Sequence, residues 1–301
     1  MKKKYQFMMV LCCFFQLLHT SFALADTIPP SDPSSVPMHP RPADWKVIFN
    51  RVVSLFHHDG ESSEHSSKKM KGLARAVSSF QPSCVLGLLP VSDEATLSME
   101  QVDTFCFLRK EIASTNPHCK FEATLNLTRY PTASALLSKL QEISLKIAPD
   151  IFLLVVPKNN EVVYPSVLAK GIEYIHEHGQ VVGYEGPTSM IPDGIDFLMI
   201  CAENGIIHRE EIASLRMKHR LPILVRVNKS FWHESSTSSE QHTTEVEQAK
   251  LLIHLAEEQN AFGYHFVYPV LSALAMRQHD FHDAAESSLL VRMRALMMRF
   301  N

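Results

Sequence analysis

The sequence predicts an α/β domain of (β/α) TIM-barrel-like type, with seven or eight parallel strands. Three observations predict it. From residue 83 onward, apolar runs of strand length alternate with helical segments. The runs are nearly continuous in apolar residues, as strands buried on both faces by helices must be. No G-x-G-x-x-G follows any run and there is no G-x-x-x-x-G-K-[ST] loop, so the signatures of an open nucleotide-binding sheet are missing.

The first 25 residues read as a secretory signal peptide. Lys2, Lys3 and Lys4 form the basic region, "MMVLCCFFQLL" the apolar region and Ala23-Leu24-Ala25 the cleavage signal, with Asp26 as the mature N-terminus. That apolar region is too short for a membrane span, which takes about 20 residues. No later segment is apolar enough to span, so the expectation is an exported protein with no transmembrane segment after cleavage. Residues 26–44, with six prolines, read as an extended tether. Residues 45–301 then form a single barrel-like domain.

Trp45, Ile48, Phe49, Val52 and Phe56 recur at helical spacing, so residues 44–56 read as an amphipathic helix. Residues 57–72, "HHDGESSEHSSKKMKG", read as a polar loop. The strand candidates are 84–91, 120–127, 150–157, 180–186, 195–201, 222–228 and 262–269. The helices between and after them are 98–114, 133–147, 166–178, 208–219, 244–259 and 282–299. An eighth strand would have to come from residues 70–82 or from the N-terminal region.

Alternate side chains of a strand face opposite sides. In "KFEATLNLT" the apolar set should meet the helices, which turns Glu122, Thr124 and Asn126 inward. The same alternation turns Glu185 inward with Gly183, a small residue suited to a crowded interior, and Arg226 inward with Asn228. His265 shares a face with Gly263 and Val267. The candidate ligand-binding set is therefore Asn126, Arg226, Asn228, Trp232 and His265. Trp232 lies on the long loop after Asn228, where it would stack on a sugar ring or pin the loop to the barrel.

Glu185 and Glu203 end neighbouring runs and are the candidate catalytic pair. Glycoside hydrolysis takes two carboxyl groups flanking one bond, about 5 Å apart for retention and farther for inversion. Arg226 beside Glu185 would hold that carboxyl ionised, which suits a nucleophile or base. The competing reading makes Glu185 the structural counter-ion that an inward arginine requires, and "ENG" after Cys201 an ordinary turn. The run 262–269 offers no acid, which counts against hydrolysis. The function this supports is an exported barrel binding, and in the stronger form hydrolysing, a polar saccharide-like ligand. The alternative is a non-catalytic binding or interaction protein of the envelope or exterior.

Other chemistries find little support. The whole chain carries 29 Lys+Arg and 32 Asp+Glu; loss of residues 1–25 leaves 26 against 32, a net charge of −6. Such a balance disfavours nonspecific nucleic-acid binding. No H-E-x-x-H, C-x-x-C or G-x-S-x-G is present, so no metal, no cofactor and no serine nucleophile is expected. Of the four cysteines after residue 25, Cys84 and Cys201 read as buried thiols and Cys106 with Cys119 as the better disulfide pair. Asn126-Leu-Thr128 and Asn228-Lys-Ser230 match the glycosylation sequon.

Overall fold

A computed structural model of the chain describes residues 48–55, 67–89, 97–157, 165–227, 238–270 and 288–300. Eight parallel strands close into a barrel in sequence order. They are β1 (Val52–Leu55), β2 (Cys84–Leu89), β3 (Lys120–Asn126), β4 (Ile151–Val155), β5 (Val181–Glu185), β6 (Phe197–Ala202), β7 (Ile223–Val227) and β8 (His265–Val270). The helices among the described residues are α1 (Ser67–Ser79), α2 (Met99–Thr115), α3 (Ala133–Ile147), α4 (Pro165–Glu177), α5 (Arg209–His219), α6 (Ser238–Phe262) and α7 (Ser288–Phe300).

The eighth strand comes from the N-terminal region, and it corrects the helix expected over residues 44–56. Val52–Leu55 pairs with β2 on one side and β8 on the other. Val52 points into the barrel, while Val53 and Leu55 join the helix-facing core. The β-branched pair Val52-Val53 suits a strand, and the closing contact comes from partners 32 and 215 residues away in the chain. A second correction concerns the polar loop: its last residues, from Ser67, open α1.

Strand alternation separates two apolar cores. Inside the barrel lie Val52, Cys84, Leu86, Ile151, Leu153, Phe197, Met199, Leu224 and Val267, together with Phe49. Between barrel and helices lie the opposite-parity residues, among them Val85, Phe121, Phe152, Tyr184, Leu198, Val225 and Phe266. Each such large side chain, buried, contributes about 1.5–3 kcal/mol relative to exposure. The interior is a packed core rather than a pore, as in barrels of this type.

Local chemistry fixes where the helices begin. Ser98 caps α2 in a reciprocal box with Gln101, and Thr132 caps α3 through Ala135 N–H. At the N-terminal end of the barrel, Asp150 accepts from Phe121 N–H at 3.1 Å and pairs with Lys120 and Arg109 at 3.1 and 3.4 Å. Asp196 does the equivalent before β6. It accepts from Val182 N–H at 2.8 Å and lies 3.0 Å from Nε2 of His176.

The β5-to-β6 connection is different from its neighbours. Between Gly186 and Asp196 the chain forms one 3-10 turn, Thr188–Met190, and no α-helix. The two strands are registered at only two positions, Gly183 with Phe197 and Tyr184 with Leu198.

Candidate functional site

Four of the eight strands bring polar side chains together inside the upper barrel. Glu185 is the last residue of β5 and Arg226 the fourth of β7. Nη2 of Arg226 donates to both oxygens of Glu185, at 2.9 and 2.7 Å. Cys201, on β6 between them, lies with Sγ 3.5 Å from Oε1 of Glu185 and 3.8 Å from Nη2 of Arg226. Burial works against the arginine's charge, but the Glu185 carboxylate and Cys201 more than offset it and hold the guanidinium protonated. Burial pushes the Cys201 thiol up, and the neighbouring carboxylate adds to that.

Glu122, on β3, is the deepest member and is fully buried. Its Oε2 accepts from Gly87 N–H at 2.6 Å, and its Oε1 from the Thr124 hydroxyl at 2.5 Å. The Gly87 amide is available because β2 slips register against β3 between Val85 and Leu89. Only glycine fits there: φ is +68°, and a Cβ would stand 2.7 Å from the Leu55 carbonyl oxygen. Burial raises the Glu122 carboxyl to about 7, although both hydrogen bonds and the Arg226 charge pull it down. One arginine thus sits in the field of two carboxyls, Glu185 hydrogen-bonded to it and Glu122 poised near neutrality.

A cavity of about 620 Å³ opens at the C-terminal ends of β5 and β6. Glu185 and Cys201 border it from the barrel side, Glu203 from the end of β6, and His208 and Glu211 from the start of α5. The stretch Gly186–Ser189 forms a further wall.

The expected site residues fall into three groups. Glu185 and Glu203 border one cavity, Glu203 being exposed at the first position of the 3-10 turn Glu203–Gly205. Arg226 is brought against Glu185, as an inward arginine requires. Asn126 stands on the same rim but is engaged in local structure: its Oδ1 accepts from the Thr128 amide and hydroxyl at 3.2 and 2.8 Å, capping the turn Leu127–Arg129. His265 is not brought to the rim. It is the first residue of β8, at the N-terminal end, where its ring stands 6.0 Å from that of Phe49. The reason is that α6 runs on to Phe262 and stops at Gly263, with φ of +67°, so β8 begins three residues later than the apolar run suggests. Asn228 and Trp232 lie outside the described residues.

Glu122 takes a larger part than its depth in the strand suggested. The signals for it were its parity with Asn126 and the glycine breaking the "CVLGLL" run across from it. The Cys106–Cys119 disulfide is not formed: Cys106 is exposed on α2, Cys119 is buried, and all four described cysteines are free. Among the described residues no group of three or more His, Cys, Asp or Glu could hold a metal ion. No helix among them is long and apolar enough to cross a membrane.

No protein-family model and no curated protein matches the sequence. Solved structures do match the fold. An aldo/keto reductase from Klebsiella pneumoniae, in complex with NADP and acetate, superposes with a TM-score of 0.50 at 10% identity, over 82% of this chain and 84% of that one. An O-GlcNAc hydrolase mutant from Thermobaculum terrenum gives 0.48 at 10% identity, over 83% and 62%. CdNal from Clostridium difficile, in complex with mannosamine, gives 0.46 at 8% identity, over 83% and 74%. At such identities the likeness is one of fold, and the fold is the eight-stranded parallel TIM barrel.

Proposed function

We propose that this protein is exported and binds a polar, saccharide-like small molecule in the cavity at the C-terminal rim. One observation carries the reading: Glu185 and Glu203 front on the same cavity, at the end of the barrel where such folds build their sites. Carboxylates accept the hydroxyl hydrogen bonds of a sugar, and Arg226 fixes the position of the Glu185 carboxylate through an ion pair of 2.7 Å. The stronger form is hydrolysis, with Glu185 as nucleophile or base and Glu203 as the acid. Non-catalytic binding is the second reading. It is favoured by the engagement of both Glu185 oxygens with one arginine nitrogen, which ties down the carboxylate as a nucleophile while each oxygen keeps a lone pair for a ligand hydroxyl. Export is supported by the signal-peptide pattern of residues 1–25 and is checked by the intact mass of the mature protein, expected to begin at Asp26.

The test is thermal unfolding of the mature protein with a panel of cell-wall and storage saccharides, on wild type and Glu203→Gln. A ligand that binds the native state raises the midpoint by linkage. Glu203 is exposed, so its glutamine variant should fold normally and lose the response to the saccharide that stabilises wild type. A panel without any stabilising member, or a response unchanged by Glu203→Gln, would sink the assignment. Product analysis on the stabilising saccharide then separates hydrolysis from binding.

A further inference from the structure

The rim cavity has two chemically different ends. Glu185 and Cys201 belong to the inward face of the strands, while Leu198 and Ala202, by alternation, belong to the outward face that meets the helices. The cavity borders both sets. At the C-terminal ends of β5 and β6 it therefore reaches from the inward side of the strands to the layer where a covering helix would ordinarily lie. The cause is on the chain: the connection after β5 makes one 3-10 turn and no α-helix.

In that layer the walls are aliphatic. Leu198, Ile212 and Leu215 belong to the helix-facing core, and Ile191 and Ile207 pack against it. Ile206, at the mouth, is 62% exposed. Against this stand the carboxylates of Glu185 and Glu203 at the ends of β5 and β6, with Glu211 at the start of α5. A free sugar would meet the carboxylates and leave the aliphatic end without a partner. A plain hydrocarbon would desolvate the carboxylates without replacing their hydrogen bonds, which is costly.

We infer, resting on the site assignment above, that the ligand is an amphiphile: a hydroxyl-rich head at Glu185 and Glu203, and an aliphatic tail lying between Ile191 and Ile207 in the gap left by the missing helix. The volume suits a molecule of that kind, since ligand cavities run about 300–1,000 Å³.

The experiment titrates the mature protein with methyl, butyl, hexyl and octyl β-glucosides and maltosides, each below its micelle-forming concentration, by calorimetry. Octanol serves as the tail without a head. Wild type, Ile191→Asn, Ile207→Asn and Glu203→Gln are compared, with circular dichroism to verify folding. Affinity should rise about threefold to fourfold per methylene until the tail fills the gap. Ile191→Asn and Ile207→Asn should flatten that rise while keeping the methyl glycoside's affinity. Glu203→Gln should weaken every chain length by the same factor.

Equal affinity for methyl and octyl glycosides overturns the tail and leaves the saccharide reading standing. A rise with chain length that both asparagine variants retain places the tail elsewhere and also overturns it. Octanol binding as tightly as octyl glucoside defeats the saccharide reading and with it the amphiphile. Absence of binding at any length defeats both together.

Discussion

Arg226 reaches across the inside of the barrel, past β6, to hold Glu185 through one nitrogen at 2.9 and 2.7 Å. Both side chains are mostly removed from solvent, at 23% and 16% exposure. Taking away one partner leaves a charge in a poor environment, whereas replacing both with apolar residues of similar size does not. Glu185→Leu should therefore cost on the order of 3 kcal/mol in urea unfolding, and Glu185→Leu with Arg226→Met should recover most of it. A double variant as unstable as the single one would mean that the pair itself, and not the orphaned cation, supplies the stability.

Glu122 gives the barrel a pH dependence of the opposite sign to that of most carboxyls. Its folded value of about 7 lies above the ordinary 4.5. Between those values the native state keeps a proton that the unfolded chain has released, so rising pH favours unfolding. The loss begins near 4.5, is complete a little above 7, and amounts to roughly 3 kcal/mol. Glu122→Gln keeps an oxygen for the Gly87 amide and carries no charge. Its urea-unfolding stability should match wild type near pH 5 and exceed it near pH 8. Equal pH profiles for the two proteins would refute the assignment.

The parts of this architecture that rest on local pattern were legible in the sequence, and the parts that rest on distant contacts were not. Seven strands followed from runs of buried apolar residues. The Arg226–Glu185 pair followed from strand parity and the cost of a lone inward charge. β1 did not follow, because Val52 falls into the helical spacing of Trp45, Ile48, Phe49 and Phe56, and the segment becomes a strand only by pairing with β2 and β8. His265 was misplaced for a similar reason. The strand start is set by α6, whose last residue, Phe262, lies under the Arg209 guanidinium at 4.7 Å and accepts from Arg216 through its carbonyl. The cavity was half legible. Its carboxylates stand at strand ends in the sequence, but its aliphatic lining depends on how α5 and the β5–β6 connection pack against the outward face of β6.

Gly183 makes room for Phe197. A Cβ on Gly183 would stand 2.1 Å from the Phe197 ring, which fills the barrel floor and packs on Phe49 at 4.9 Å between centroids. Gly183→Ala should cost about 2–3 kcal/mol through overpacking. Phe197→Leu alone should cost on the order of 1–2 kcal/mol, since it removes volume from a filled interior. The double variant should cost less than the two single costs together by at least about 1 kcal/mol, because each change relieves the other. Additive costs in a double-mutant cycle would show that the ring moves aside and the two positions are independent.

The thiols provide a check on the barrel's inside and outside. Cys84 faces the interior core and Cys119 the helix-facing core, on opposite sides of the strand layer. Cys106 is exposed on α2, and Cys201 is half-buried at the rim. Burial raises the Cys119 thiol to about 12 and the Cys84 thiol well above its ordinary value, so neither offers thiolate to a reagent near neutrality. In the native protein at pH 8, Cys106 should react fast with a disulfide reagent, Cys201 slowly, and Cys84 and Cys119 only on unfolding. Cys106→Ser should remove the fast phase and leave stability within about 0.5 kcal/mol, as a surface change does. If instead the mature protein shows only two reactive thiols in denaturant and loses stability on reduction, then Cys106 and Cys119 are bonded. In that case the middle of α2, where Cys106 lies, turns inward rather than outward, and the helix layer over β2 and β3 packs differently from the arrangement described above.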